Sequence, residues 1–136
     1  MRLIHILLFT SCLFTKSILA QPDNDFCLDA FRIADVTKYC SKIGEFTTQG
    51  SGFNPDAGDI AKATCWSNAS HDVWFKFVAI ATDVLITVNG TTLKRPELAI
   101  YTGNCSNMSE IFPCVTSPAN LNTATLYKGG LVTGAT

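Results

Sequence analysis

The sequence predicts an all-β domain, an antiparallel β-sandwich of jelly-roll type, behind a removable leader. Three observations carry this. Short apolar runs in the second half alternate with period two, the spacing of a half-buried strand. Turn signals rich in Gly, Asn, Pro and Ser recur about every ten residues, the rhythm of a sandwich rather than of βαβ units. Six cysteines in 136 residues suit a chain that folds in an oxidising compartment.

The leader comes first in the chain. Met1-Arg2 is a short basic start, Leu3 to Phe14 is largely apolar, and Ala20 is a small residue before the polar Gln21-Pro22-Asp23. This is the layout of a secretory signal over residues 1–20, with cleavage near Ala20. The apolar run is about a dozen residues, short of the ~20 that span a bilayer. A lipoprotein leader acylated at Cys12 is the rival reading, against which stands the apolar Leu13-Phe14 where a polar tether belongs. Two of the ten basic residues, Arg2 and Lys16, leave with the leader, so residues 21–136 carry eight bases against eleven acids, net −3. That balance argues against a nucleic-acid or anionic-membrane partner, which needs a basic stripe. No second apolar run is long enough to span a membrane. The length of residues 21–136 suits a single module with a modest core.

The elements follow in order. Gln21 to Phe26 is a polar lead-in, and Cys27 to Ile33 has mild helical character. Ile43 to Thr48 contains Glu-Phe-Thr-Thr and reads as a strand, and residues 49–59 are loop by composition. Asp72 to Val78 is the clearest strand, with Val73, Phe75 and Phe77 alternating against Trp74, Lys76 and Val78. Val84 to Val88 is a second clear strand, stopped by the turn dipeptide Asn89-Gly90. Glu97 to Tyr101 follows Pro96 as a strand, Thr102 to Ser109 reads as a loop, and Glu110 to Val115 as the next strand. Ser117 to Asn120 is a turn, Thr123 to Tyr127 a strand, and Lys128-Gly129-Gly130 a turn. A closed sandwich wants one more strand after Leu131-Val132 to cover its edge. The expectation is therefore a module over residues 21–136, incomplete at its C-terminus and part of a longer polypeptide.

Loss of Cys12 with the leader leaves Cys27, Cys40, Cys65, Cys105 and Cys114. Cys105 and Cys114 lie nine apart around a loop and are the expected first bridge; Cys27–Cys65 is favoured as the second, with Cys40 left over. Sequence does not decide connectivity. The odd thiol is either buried or paired with something beyond residue 136. Zinc fits poorly, because there is no CxxC and His71 is the one histidine after the leader.

Several stretches together resemble a known family. They are Asn24-Asp25-Phe26-Cys27-Leu28-Asp29-Ala30, the run Cys65-Trp66 through Asp72-Val73-Trp74-Phe75-Lys76-Phe77, Leu98-Ala99-Ile100-Tyr101-Thr102-Gly103-Asn104-Cys105, and Ile111-Phe112-Pro113-Cys114. In this order they resemble the β-sandwich modules related to bacterial pre-peptidase C-terminal domains. Such modules are frequent in secreted Bacteroidota proteins, often upstream of a type IX secretion sorting domain. The resemblance covers most of residues 24–132. It implies a core strand at Asp72–Phe77 and a hairpin begun at Tyr101 and bridged by Cys105 and Cys114. The chain departs from the pattern in stopping at Gly134-Ala135-Thr136. It departs again in having Lys94-Arg95-Pro96-Glu97 where an Asp often precedes the third strand.

The candidate chemistry is sparse. His71-Asp72 are adjacent, so on a strand they point to opposite faces and make a poor Ser-His-Asp site. Asp23, Asp25 and Asp29 cluster, as do Asp56 and Asp59; solvated loop charge is the plain reading, and calcium is the functional one for Asp23, Asp25 and Asp29. Trp66, beside Cys65, is a candidate for stacking on a sugar ring or for packing on a disulfide, whereas Trp74 reads as core. Asn68, Asn89, Asn104 and Asn107 each begin an Asn-x-Ser/Thr motif. These are surface acceptors in a eukaryotic secreted protein and incidental loop composition in a bacterial one, the reading that the resemblance implies.

The expected function is a non-catalytic, secreted or cell-surface β-sandwich module. It serves adhesion, binding or spacing within a larger exported protein. Its partners are other domains of the same polypeptide, a surface protein or a glycan. The alternatives are an accessory domain of a secreted hydrolase such as a peptidase, whose catalytic domain lies outside this chain, and a carbohydrate-binding domain.

Overall fold

The structure, a computed structural model, describes residues 20–52, 63–66 and 71–136, with the side chains of residues 112 and 113 left aside. The leader up to residue 19, Cys12, the Asp56/Asp59 pair and the Asn68 motif lie outside the described residues. The described chain is all-β, as the sequence predicts. Its helical content is one 3-10 turn, Cys27–Asp29, where mild helical character was expected.

Six strands follow: β1 Phe31–Arg32, β2 Phe75–Lys76, β3 Val84–Asn89, β4 Glu97–Asn104, β5 Asn107–Thr116 and β6 Thr123–Lys128. They form three two-stranded sheets, a short parallel β1–β2 pair and the antiparallel β3–β6 and β4–β5 pairs. β6 lies close to both β5 and β4.

β3 and β6 show why alternation predicts strands. Val84, Ile86 and Val88 point inward, while Ala124 and Leu126 are buried across from them. The outward positions pair as Leu85 with Tyr127, Thr87 with Thr125, and Asn89 with Thr123. Thr87 and Thr125 share a hydroxyl–hydroxyl bond of 3.2 Å, and Thr123 donates its hydroxyl to Asn89 Oδ1 at 2.8 Å. Leu126 is wholly buried, and Ile100 from the β4–β5 layer is 7 % exposed. Among the described residues the other buried apolar side chains are small: Cys27, Ala30, Ala63, Ala79 and Ala124.

The expected loop at Thr102 to Ser109 is instead the tip of a hairpin. β4 runs to Asn104 and β5 starts at Asn107, with Asn104 paired to Asn107 across a two-residue turn, Cys105-Ser106. Gly103 makes this turn sterically feasible. Its φ is +113°, and a Cβ there would lie 2.3 Å from the carbonyl oxygen of Asn107. Further along, the register shifts between Leu98 and Ile100, so β5 carries extra residues opposite Ala99. Pro113, which has no N–H to give to a ladder, falls in that irregular stretch.

Two other strand expectations are corrected. Residues 43–48 form no strand. Phe46 packs edge-on against Phe31 and Phe75, with ring centroids 4.9 and 4.8 Å away. Tertiary packing of the ring, rather than a backbone ladder, uses that segment. The long strand expected at Asp72–Val78 is reduced to Phe75–Lys76, because its partner β1 is only two residues long. Around it the backbone is held singly: Trp74 donates to the Asn24 carbonyl at 2.8 Å, and Phe31 donates to the Trp74 carbonyl at 2.9 Å.

No regular strand follows β6, but residues 131–135 do pair with the chain. Leu131 N–H donates to Thr82 O at 2.8 Å, Gly134 N–H to Ala79 O at 2.7 Å, and Ala79 N–H to Ala135 O at 2.8 Å.

Candidate functional site

The disulfides define the site, and they correct the expected pairing. Cys27 bonds Cys105, and Cys65 bonds Cys114, with Cα–Cα separations of 5.7 and 5.8 Å. The expected bridges Cys105–Cys114 and Cys27–Cys65 are not made. Hairpin geometry gives the reason. Cys105 sits in the turn at the tip, and Cys114 adjoins Val115, the partner of Leu98, at the other end. Asn104 lies six positions beyond Leu98 on β4, so the two cysteines are about 20 Å apart along the ladder. A disulfide needs Cα atoms roughly 4.4–6.8 Å apart. Cys40 is the leftover thiol, as expected, and it is exposed rather than buried.

Each end of the hairpin thus receives one piece of the loop-rich N-terminal region. At the tip, Cys27 Sγ also lies 3.7 Å from Met108 Sδ. At the open end, the Thr64–Trp66 corner is strapped to β5 by more than its bridge. Glu110 accepts hydrogen bonds from the Thr64 backbone N–H at 3.0 Å and the Thr64 hydroxyl at 3.1 Å. Thr116 donates its hydroxyl to the Cys65 carbonyl at 3.4 Å.

Between these anchors lies an aromatic and acidic shelf. Trp74 and Tyr101 pack at 5.6 Å with a 44° tilt. Asn24 holds Trp74 in place: its side-chain amide donates to the Trp74 carbonyl at 3.0 Å, while its own carbonyl accepts from Trp74 N–H. Tyr101 is paired across the ladder with Glu110. Burial, and then the negative charges of Glu110 and Asp72, push its phenol up to about 12. Tyr101 therefore stays protonated through the physiological range. The carboxylates of the shelf are occupied or covered: Glu110 accepts from Thr64, and Asp72 is buried. Among the described residues no group of three or more His, Cys, Asp or Glu side chains comes together to hold a metal ion.

The sequence-predicted residues fare unevenly. Asp23 and Asp29 are exposed, whereas Asp25 is buried. The Asp25 carboxylate accepts from the Gln21 side-chain amide and, at 2.9 Å, from Gly52 N–H. It is engaged in closing the 20–52 region, and the three aspartates do not converge as a ligand set. Trp66 is half-buried, and its backbone N–H donates to Ala63 O at 2.9 Å. Trp74 is also half-buried, against the expectation of a core residue. His71 is exposed and Asp72 buried.

Sequence reasoning missed Asn24, Tyr101 and Glu110. The Tyr101–Glu110 pair was accessible only through the hairpin register, which the loop-like composition of residues 102–109 concealed.

A recess of about 100 Å³ lies between Arg32–Val36 and Val78–Ile80. It is below the ~300 Å³ at which small-molecule pockets begin. No helix among the described residues is long and apolar enough to cross a membrane. The two disulfides fit an oxidising, extracellular setting. Comparison of the chain with family models, with curated proteins and with solved structures finds no match.

Proposed function

We propose that this chain is an exported, non-catalytic β-module that binds a partner through open surface, as an adhesive or spacing unit of a larger secreted or cell-surface protein. The observation that carries the reading is the anchoring of a loop-rich N-terminal layer at both ends of one hairpin by bridges 78 and 49 residues apart in sequence. Loops on a rigid scaffold are where binding residues concentrate. This layer leaves several apolar side chains in solvent, among them Leu28, Tyr39, Ile43 and Phe75. Export supports the same reading, through the leader over residues 1–20 and the bridges that an oxidising compartment preserves.

The test is to secrete the full chain from a eukaryotic host with a C-terminal fluorescent reporter and to titrate the product against intact cells. The expected result is a mature N-terminus at Gln21 and saturable binding that reduction abolishes. Binding no greater than that of the reporter alone would remove the adhesive reading.

A second reading, carbohydrate recognition, is favoured by Trp66 standing half-exposed beside the Cys65–Cys114 bridge. A glycan array resolves it. A bound glycan class lost in Trp66→Ala supports the reading, and a blank array ends it.

A further inference from the structure

Half of the chain's eight asparagines begin an Asn-x-Ser/Thr motif. Ser and Thr make up under a fifth of the residues, so composition alone gives about one or two such motifs. Three of the four fall within the described residues, and all three asparagines are exposed.

Their places in the fold are not random. Asn89 closes β3 at the corner before Gly90. There Gly90 N–H donates to Asn122 O at 2.7 Å, and the Asn122 side-chain amide donates to Gly90 O at 2.7 Å. Asn104 and Asn107 face each other across the β4–β5 turn. The connection from Thr116 to Thr123 carries the chain from the open end of that hairpin to the start of β6, beside Asn89. Asn89 and the hairpin tip therefore stand at opposite ends of the module. A bulky group at either place leaves the buried face, with Leu126 and Ile100, untouched.

We propose that Asn89 and Asn107 are N-glycan acceptor sites, one at each end of the module. The inference rests on the export reading above. It takes the motifs as used rather than as incidental composition.

The tip accepts one glycan, because Asn104 and Asn107 are a directly opposed cross-strand pair with Cα atoms about 5 Å apart. Asn107 is the acceptor for two reasons. It and Ser109 lie two apart on β5, both exposed, so the amide and the hydroxyl of the motif share one outward face. In the Asn104 motif the middle residue is Cys105, which is bridged to Cys27 at the turn itself.

In the transfer, asparagine Nδ2 attacks the anomeric carbon of a lipid-pyrophosphate-linked oligosaccharide. An N–C bond forms and the C–O bond to pyrophosphate breaks. The lipid pyrophosphate leaves, and the amide gives up one proton.

The experiment is translation of the full chain with endoplasmic-reticulum microsomes under oxidising conditions, carrying Asn68→Gln so that only the described sites are read. The expected product is leader-cleaved, protected from added protease, and retarded on a gel by two steps that a glycosidase removes. Asn89→Gln removes one step, Asn107→Gln removes the other, and Asn104→Gln leaves both. A cleaved and protected product without steps overturns the proposal while leaving export standing. A tip glycan that persists in Asn107→Gln overturns the assignment to that residue. A product with its leader intact and open to protease contradicts the export reading, and the proposal falls with it.

Discussion

The two halves of this module are held by different means. Beyond residue 83, β3 to β6 are tied by antiparallel ladders, and their inward faces supply Leu126 and Ile100 to the core. Among the described residues of 20–82 there are only two strands of two residues each and one 3-10 turn. That region is held by two disulfides, the Phe31–Phe46–Phe75 ring cluster, and side chains that reach backbone, such as Asn24 to Trp74 and Asp25 to Gly52. The difference teaches where cross-links matter. The β4–β5 ladder is closed by a two-residue turn, whereas the loop layer is fixed by bridges between residues 78 and 49 apart. Closing loops of 78 and 49 residues constrains the unfolded chain by roughly 4 kcal/mol each in the chain-entropy account.

Reducing both bridges is therefore the largest perturbation. It is expected to open residues 20–82 to limited proteolysis while β3–β6 cleaves later. Uniform digestion of both halves would erase the comparison. Removing one bridge with Cys27→Ser and Cys105→Ser together is expected to cost roughly 2–5 kcal/mol in denaturant unfolding. Leu126→Ala strikes the other half. It empties a fully buried site and is expected to cost about 2–5 kcal/mol, with hydrogen exchange quickening first in β3 and β6.

Asn24→Ala is smaller, about 1–3 kcal/mol, because it leaves the Trp74 carbonyl one donor short. Its signature is a near-ultraviolet change from Trp74, with the β3–β6 amides unmoved.

The smallest effect is read with pH. The Tyr101 phenol lies at about 12 in the folded protein, above the value near 10 of an unfolded chain. Its contribution to stability is whole below pH 10 and is lost as pH climbs from 10 toward 12, since the unfolded state releases its proton first. Tyr101→Phe is expected to flatten that part of the alkaline stability profile. An unchanged slope would place Tyr101 in open solvent.

How far the sequence reveals these halves follows from the same physics. β3 and β6 are legible because one face is buried and the other solvated, so Val84, Ile86 and Val88 alternate cleanly with Leu85, Thr87 and Asn89. β4 and β5 are legible except at their tip. There Gly103, Asn104, Ser106 and Asn107 look like loop, yet they serve a tight turn that only a glycine at positive φ makes possible. The loop layer is not legible in the same way. Phe46 sits in strand-like composition but serves ring packing, and Phe75 lies in an alternating run whose partner is two residues long.

Cysteine pairing depends on the register of β4 against β5, which no spacing reveals. Two cysteines nine apart look like neighbours until the ladder sets them at opposite ends. Trp66 was legible as a candidate, while Asn24, Tyr101 and Glu110 were not, because their roles come from partners far away in sequence.

The stapling of the loop layer to the two ends of the hairpin is the centre of this account, and disulfide mapping tests it most directly. The oxidised protein is to be alkylated, digested without reduction and read by mass spectrometry. The account predicts one peptide pair joined through Cys27 and Cys105, another joined through Cys65 and Cys114, and Cys40 alkylated. A peptide joining Cys105 to Cys114 would contradict it.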